Sequence, residues 1–200
     1  MSDNTNFAAL VGSRICHDLI SPVGAIGNGL ELVELSGSLG SGPEIDLITE
    51  SVTNANARIR FFRVAFGMAA GEQMVGEAEI RSILAGLSQG ARLDVQWHPQ
   101  GAVRRPDLRV IFLALMCAET VVPFGGTADV TQDDAGVWTV SITGDKLRVD
   151  DALWGALGRC EAPEQITPAQ VQFGLLPVIA REQGRELKLT QTDTQIDLRF

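Results

Sequence analysis

Of the two histidines in this 200-residue chain, one stands in a setting that could carry chemistry. It is His17, in the run Cys16-His17-Asp18-Leu19-Ile20-Ser21-Pro22-Val23-Gly24-Ala25-Ile26. A neutral imidazole nitrogen is a nucleophile near neutral pH, because its ordinary pKa is about 6.5. At about 100° of rotation per helical residue, Ile15, Leu19, Val23, Ile26, Leu30 and Val33 fall within an arc of about 80°. His17 points almost the opposite way, and its face-mates Ser13, Ser21, Gly24 and Asn28 are all small or polar. A histidine built into a core would sit on the apolar stripe, so this one is expected to stand exposed on a low-relief surface. Pro22 lacks an N–H, frees the carbonyl of Asp18 and should bend the helix just after the histidine. Gly12, Gly24, Gly27 and Gly29 each weaken the helix by about 1 kcal/mol relative to alanine. Two readings fit these breakers: a surface that another protein approaches closely, or a surface histidine in a poorly optimised helix.

The elements that must hold this residue are legible in outline. A helical pattern runs from after Asn6 to about Leu35. The cluster Ser36-Gly37-Ser38-Leu39-Gly40-Ser41-Gly42-Pro43 turns the chain. Pro43 and Glu44 suit the first turn of a second helix. In that helix Ile45, Ile48, Val52, Ala55, Ile59, Phe62 and Phe66 alternate spacings of three and four, a heptad seam that packs along its length against other helices. Two helices alone leave their flanks wet, so the pattern predicts a homodimer whose paired hairpins make a four-helix bundle.

Past Gly71 the pattern changes, and the chain is expected to divide into residues 1–72 and 73–200. A short helix is predicted over Glu77–Leu87, a strand over Arg92–Trp97, and a buried helix opening at Pro106 and ended by Pro123 and Gly125-Gly126. Thr127–Thr131 and Val137–Thr143 flank Asp133-Asp134-Ala135-Gly136 as a hairpin. Thr167–Gln183 reads as a helix with a kink at Pro177 and a stop at Gly184. Glu186–Thr190 and Thr194–Arg199 form a last strand pair. Without strict βαβ alternation, this half is expected to be an α+β sandwich, with helices over one face of a mostly antiparallel sheet.

Composition removes several classes of function. Lys plus Arg number 16 against 25 Asp plus Glu, a formal net charge of −9. Nucleic acid and anionic membrane surfaces both call for a basic face, so neither is an expected partner. The longest apolar run, Val110–Ala118, is far short of the roughly 20 residues that span a bilayer. The opening MSDNTNF has neither a basic segment nor an apolar one, so export is not expected. Cys16, Cys117 and Cys160 lack metal-ligand spacing and read as reduced thiols of a cytoplasmic protein. Hydrophobic residues make up 45% of the chain, enough for a real core.

The stretch His17-Asp18-Leu19-x-x-Pro22-x-x-x-Ile26 resembles the H-box of two-component histidine kinases, in which the histidine is the phosphoacceptor on the first helix of a dimeric bundle. The second half resembles the kinase ATP-binding domain in its order of elements, with the chemistry missing. Where such kinases carry an Asn-Ala pair whose Asn holds Mg²⁺, this chain has Cys117-Ala118. The Asp-x-Gly-x-Gly loop reads Gly144-Asp145-Lys146-Leu147-Arg148. The glycine-rich opening of the last helix survives only as Gln172-Phe173-Gly174-Leu175-Leu176-Pro177. Close approach of backbone N–H groups to phosphate needs those glycines.

An H-box joined to such a half resembles the ChpT-type histidine phosphotransferases over nearly the whole chain. Its carriers are Cys16–Pro22, the run Ala57-Arg58-Ile59-Arg60-Phe61-Phe62-Arg63-Val64-Ala65-Phe66-Gly67, and Ala118-Glu119-Thr120-Val121-Val122-Pro123. The resemblance implies a phosphorelay intermediate. Phosphoryl arrives from the receiver domain of a hybrid histidine kinase and passes to response regulators, in known cases those of the bacterial cell cycle. It implies no cofactor in this chain, since Mg²⁺ would belong to the receiver's own acidic site.

On that footing His17 is the expected phosphoacceptor. Asp18 is expected as an orienting residue or general base, accepting a hydrogen bond from the other imidazole nitrogen and fixing the tautomer, or else is a solvated surface carboxylate. Ser21 and Arg14, one turn to either side, either touch the phosphoryl group or a partner, or are plain surface residues. Gly24 and Asn28 complete the expected partner-facing strip. Arg60 and Arg63 share a helix face and Arg58 lies elsewhere; they either pair with an acidic receiver or are solvated. Trp97, Trp138 and Trp154 are expected in the core, and His98 at a strand end. Two other functions fit the same frame: an ATP-dependent histidine kinase core, or a non-catalytic dimeric kinase-like adaptor in which His17 is dispensable.

Overall fold

The computed structural model of the chain describes residues 2–36, 42–68, 73–88 and 91–200. Most of the predicted turn between the first two helices, and the predicted boundary after residue 72, lie outside them. Two long helices come first, α1 (Ser2–Ser36) and α2 (Pro43–Ala65). Helix α1 starts before Asn6 and continues unbroken through Pro22, whose ring is buried. Pro43 opens α2, with Glu44 and Asp46 in its first turn, as helix N-termini favour. The two helices run close where Gly29 faces Ile48: a Cβ on Gly29 would lie 2.6 Å from Ile48 Cγ1.

The remaining elements are β1 (Met74–Val75), α3 (Glu77–Ser88), β2 (Leu93–Trp97), β3 (Val103–Arg104), α4 (Arg105–Val121), β4 (Gly126–Gln132), β5 (Trp138–Thr143), α5 (Asp151–Gly158), α6 (Val171–Glu182), β6 (Lys188–Gln191) and β7 (Gln195–Arg199). A 3₁₀ turn, Pro168–Gln170, leads into α6. Five strands form one sheet in the order β2-β4-β5-β7-β6, with β2 parallel to β4 and every other pair antiparallel. Val130 pairs with Val140, and Val140 with Leu198. Alternate residues Ala128, Val130, Trp138, Val140, Ile142, Ile196 and Leu198 face inward and are buried, while Thr131, Gln195 and Arg199 face water. That period of two is what a sheet covered on one face requires.

Helix α4 is buried on nearly every side, from Leu108 through Ala118. Its first turn is tied down by Asp107, which accepts from Arg104 Nε and Nη2, both at 3.0 Å, and from Arg185. The expected helix over Thr167–Gln183 resolves into the 3₁₀ turn plus α6, and Gly184 ends it with φ of 68°. Helix α5 and the short pair β1–β3 were not expected. Asp150 caps α5 by accepting from the N–H groups of Ala152 and Leu153, a local signal visible in the sequence.

The hairpin and the sandwich share a core. Phe61 of α2 stacks on Phe112 of α4, with ring centroids 4.4 Å apart and planes 9° from parallel. Gly86 lets α3 close on α2, since a Cβ there would lie 2.6 Å from that of Ala57. The rest of the predicted seam behaves differently. Val52 and Ile59 on α2 are 40% and 49% exposed, and Val23 and Leu30 on α1 are 58% and 52% exposed. Only Ile15, Leu19, Ile26 and Val33 of the α1 stripe are half-buried. Two helices can cover only one strip of each other, so the outer edge of the stripe stays uncovered within one chain. No helix among the described residues is long and apolar enough to cross a membrane.

Candidate functional site

Helix α1 presents His17 to solvent, with 85% of its side chain exposed. The face calculated from 3.6 residues per turn is the one observed: Ser21, Gly24 and Asn28 are all exposed along the same strip. A Cβ on Gly24 would meet nothing within 4 Å, so this part of the strip is flat and open. Ile20, 70% exposed one turn on from His17, also belongs to this surface. Sequence reasoning passed over it; the available signal was an isoleucine lying off the apolar stripe.

Asp18 is not a solvated carboxylate. Only 11% of its side chain is exposed, and both oxygens are engaged. Oδ1 lies 3.1 Å from His17 Nδ1, and Oδ2 accepts from Arg14 Nε at 2.6 Å. An ionised carboxylate only accepts, so this contact favours the tautomer with the proton on Nδ1. Nε2 is then left with its lone pair pointing into solvent. This is the arrangement a nucleophilic imidazole requires.

Arg14 departs from expectation. It was placed beside an incoming phosphoryl group or on the open surface, but only 17% of its side chain is exposed. One arm holds Asp18; the other, Nη1, donates to the Ala169 carbonyl of the 3₁₀ turn at 2.8 Å. At 3.6 residues per turn, a side chain three positions before His17 lies toward the strip's edge, and the sandwich packs against that edge. Ala169 was invisible in the sequence because it contributes a backbone atom. Arg14, Asp18 and Ala169 border a cavity of about 520 Å³ between hairpin and sandwich, with Arg58, Phe61 and Met116 among its other walls.

Cys117 is fully buried, and burial pushes its thiol well above the ordinary range, as an inert core cysteine should behave. Gly174 of α6 seats the ring of Phe7 from α1: a Cβ there would lie 2.6 Å from Phe7 Cε1 and 2.7 Å from Ile166 Cδ1. Elsewhere, Trp97, Trp138 and Trp154 are buried as expected. His98 is exposed and lies 2.6 Å from Asp129. Arg60 and Arg63 both approach Glu79, at 3.9 and 3.8 Å, while Arg58 donates to Asn54. Among the described residues no cluster of three His, Cys, Asp or Glu could hold a metal ion.

Comparison with known proteins agrees with this geometry. The family model described as "Histidine phosphotransferase C-terminal domain" matches residues 77–195. The chain is 30% identical over 199 residues to the protein phosphotransferase ChpT of Brucella abortus (strain 2308), covering 96% of this chain and 93% of that one. Among solved structures, a bacterial phosphotransferase superposes with a TM-score of 0.77 at 28% identity, covering 98% of this chain and 95% of the other. The family model over residues 77–195 and the 30% identity to ChpT show that the chain, with its outward imidazole on a helical hairpin and an α+β sandwich behind it, belongs to the ChpT-type histidine phosphotransferases.

Proposed function

We propose that His17 is the phosphoacceptor of this phosphotransferase. It takes phosphoryl from the receiver domain of a hybrid histidine kinase and returns it to receiver aspartates of response regulators. Residues 1–72 would act as the phosphotransfer and dimerisation unit, paired with a second copy as a four-helix bundle, and residues 73–200 as the kinase-like sandwich. The observation that carries this reading is the exposed His17 ring whose Nδ1 faces an anchored Asp18.

The chemistry follows from that contact. The Nε2 lone pair attacks phosphorus, the N–P bond forms, and the P–O bond to the receiver aspartate breaks. The carboxylate leaves with the electron pair. No proton has to move: Nδ1 keeps its hydrogen, and the ring carries the positive charge of a phosphoimidazolium beside the Asp18 carboxylate. In the reverse direction the protonated ring is the better leaving group, so one proton held at Nδ1 serves both acceptance and donation. Phosphoryl transfer otherwise rests on alignment and neutralisation of charge. The open strip of Ser21, Gly24 and Asn28, with Ile20 beside it, suits close approach of a receiver, and Ser21 is within one turn of the phosphoryl group.

ATP has no part in this reading. Supporting that, Cys117 supplies no carboxamide for Mg²⁺, and the Phe7 ring occupies the space beside Gly174 that a phosphate would need.

The test is incubation with a phosphorylated receiver, in parallel with labelled ATP and Mg²⁺ alone. Label should pass from the receiver to the wild-type protein and not to His17→Gln, and ATP alone should label neither. Label on His17→Gln would remove His17 from the mechanism. Label from ATP alone would favour a kinase core. Unchanged signalling to the regulator through an unlabelled His17→Gln protein would favour an adaptor.

A further inference from the structure

A chain of polar contacts joins His17 to the sandwich interior. Gln172 of α6, fully buried, donates from Nε2 to the Ala169 carbonyl at 3.1 Å. The same carbonyl accepts from Arg14 Nη1 at 2.8 Å, using its second lone pair. Arg14 Nε holds Asp18 Oδ2 at 2.6 Å, and Asp18 Oδ1 faces His17 Nδ1 at 3.1 Å. The 3₁₀ turn that offers the carbonyl is braced in turn, because Gln170 Oε1 accepts from both the N–H and the hydroxyl of Thr167.

We infer that Arg14 is a positioning residue that makes the tautomer of His17 depend on how the sandwich is docked against α1. The argument is geometric. Asp18 and the ring it faces are neighbours in sequence, so the aspartate could reach His17 in several side-chain rotamers. What selects one is the guanidinium on its other oxygen. That guanidinium is held by a rigid fork whose second arm ends on the sandwich, not on α1. A lysine could reach either anchor but offers no planar fork for both. With the sandwich in place, Asp18 is fixed, Nδ1 keeps the proton and Nε2 stays nucleophilic. When the sandwich shifts, Arg14 loses its second anchor, Asp18 gains rotamer freedom, and the ring is free to carry its proton on Nε2 instead. The sandwich therefore acts on the chemistry at His17 without touching the phosphoryl group. The functional consequence rests on His17 being the phosphoacceptor; the tautomer dependence does not.

The chain contains only two histidines, so a long-range ¹H–¹⁵N spectrum of the full-length protein above the titration range of imidazole reads both rings, and His17→Gln assigns them. The wild-type His17 ring should be mainly in the form with the proton on Nδ1. Arg14→Gln should lower the ratio of that form to the other by about fivefold, the effect of freeing the carboxylate's rotamers at a charge-assisted hydrogen bond. Phe7→Ala replaces none of the five linked residues but loosens the seat at Gly174, and should shift the ratio the same way by a smaller amount. His98 should not change in either variant. A folded Arg14→Gln protein with the wild-type ratio overturns the positioning role. An unchanged ratio in Phe7→Ala overturns the dependence on docking. Neither result bears on whether His17 accepts phosphoryl, which the receiver-labelling experiment decides separately.

Discussion

The packing of Phe7 on Gly174 can be tested as a sign change. Replacing Gly174 by alanine puts a Cβ 2.6 Å from Phe7 Cε1, 3.0 Å from Phe7 Cζ and 2.7 Å from Ile166 Cδ1. The Ile166 methyl is the free end of a flexible side chain and can rotate away. The Phe7 ring moves only as a plate. Overpacking of this kind costs about 1–3 kcal/mol. Against it stands a gain of up to about 1 kcal/mol, because alanine is the better residue inside a helix. In the wild-type background Gly174→Ala should therefore destabilise by about 0–3 kcal/mol, the difference of those two effects. In a Phe7→Ala background the ring is gone and only the helical gain remains, so the same substitution should stabilise by up to about 1 kcal/mol. The coupling between the two positions is then about 1–3 kcal/mol. Urea unfolding of the wild type, the two single variants and the double variant measures it. If Gly174→Ala has the same effect in both backgrounds to within about 0.5 kcal/mol, the ring does not occupy the glycine's space.

Two further outcomes bear on the assembly and the core. Val52→Glu combined with Ile59→Glu places charges on the half-exposed edge of the α2 seam; in sedimentation the protein should run as a monomer with its helix content unchanged. Asp107→Ala strips the partner from Arg185, whose side chain is 15% exposed, and should destabilise by about 3 kcal/mol in urea, as expected when a buried ion pair loses one member.

Much of the site was legible because helical geometry is local. Rotation by about 100° per residue placed His17 opposite the apolar stripe and beside Ser21, Gly24 and Asn28, and all four are exposed. The same arithmetic could not show which part of a stripe another element covers. Ile26 and Val33 are half-buried, whereas Val23 and Leu30 are more than half exposed, because coverage depends on the crossing of two helices and not on one helix's pattern. The strands were legible where inward residues alternate, as in Trp138, Val140 and Ile142. The two-residue strands β1 and β3 were not, because they are too short to show a period.

The amino-acid order alone determined that an imidazole would face solvent on a breaker-rich helix and that a mixed set of helices and strands would follow. These are properties of residue type and local periodicity. The role of Arg14 was decided only by tertiary structure, since the partner of its second arm is a backbone carbonyl 155 residues further along the chain. So was the fate of Gly174, whose neighbour Phe7 comes from near the opposite end of the chain. A hydrogen-bond acceptor on the main chain carries no side-chain signature, and the space beside a glycine is defined by what packs against it. Both become visible only when distant segments meet.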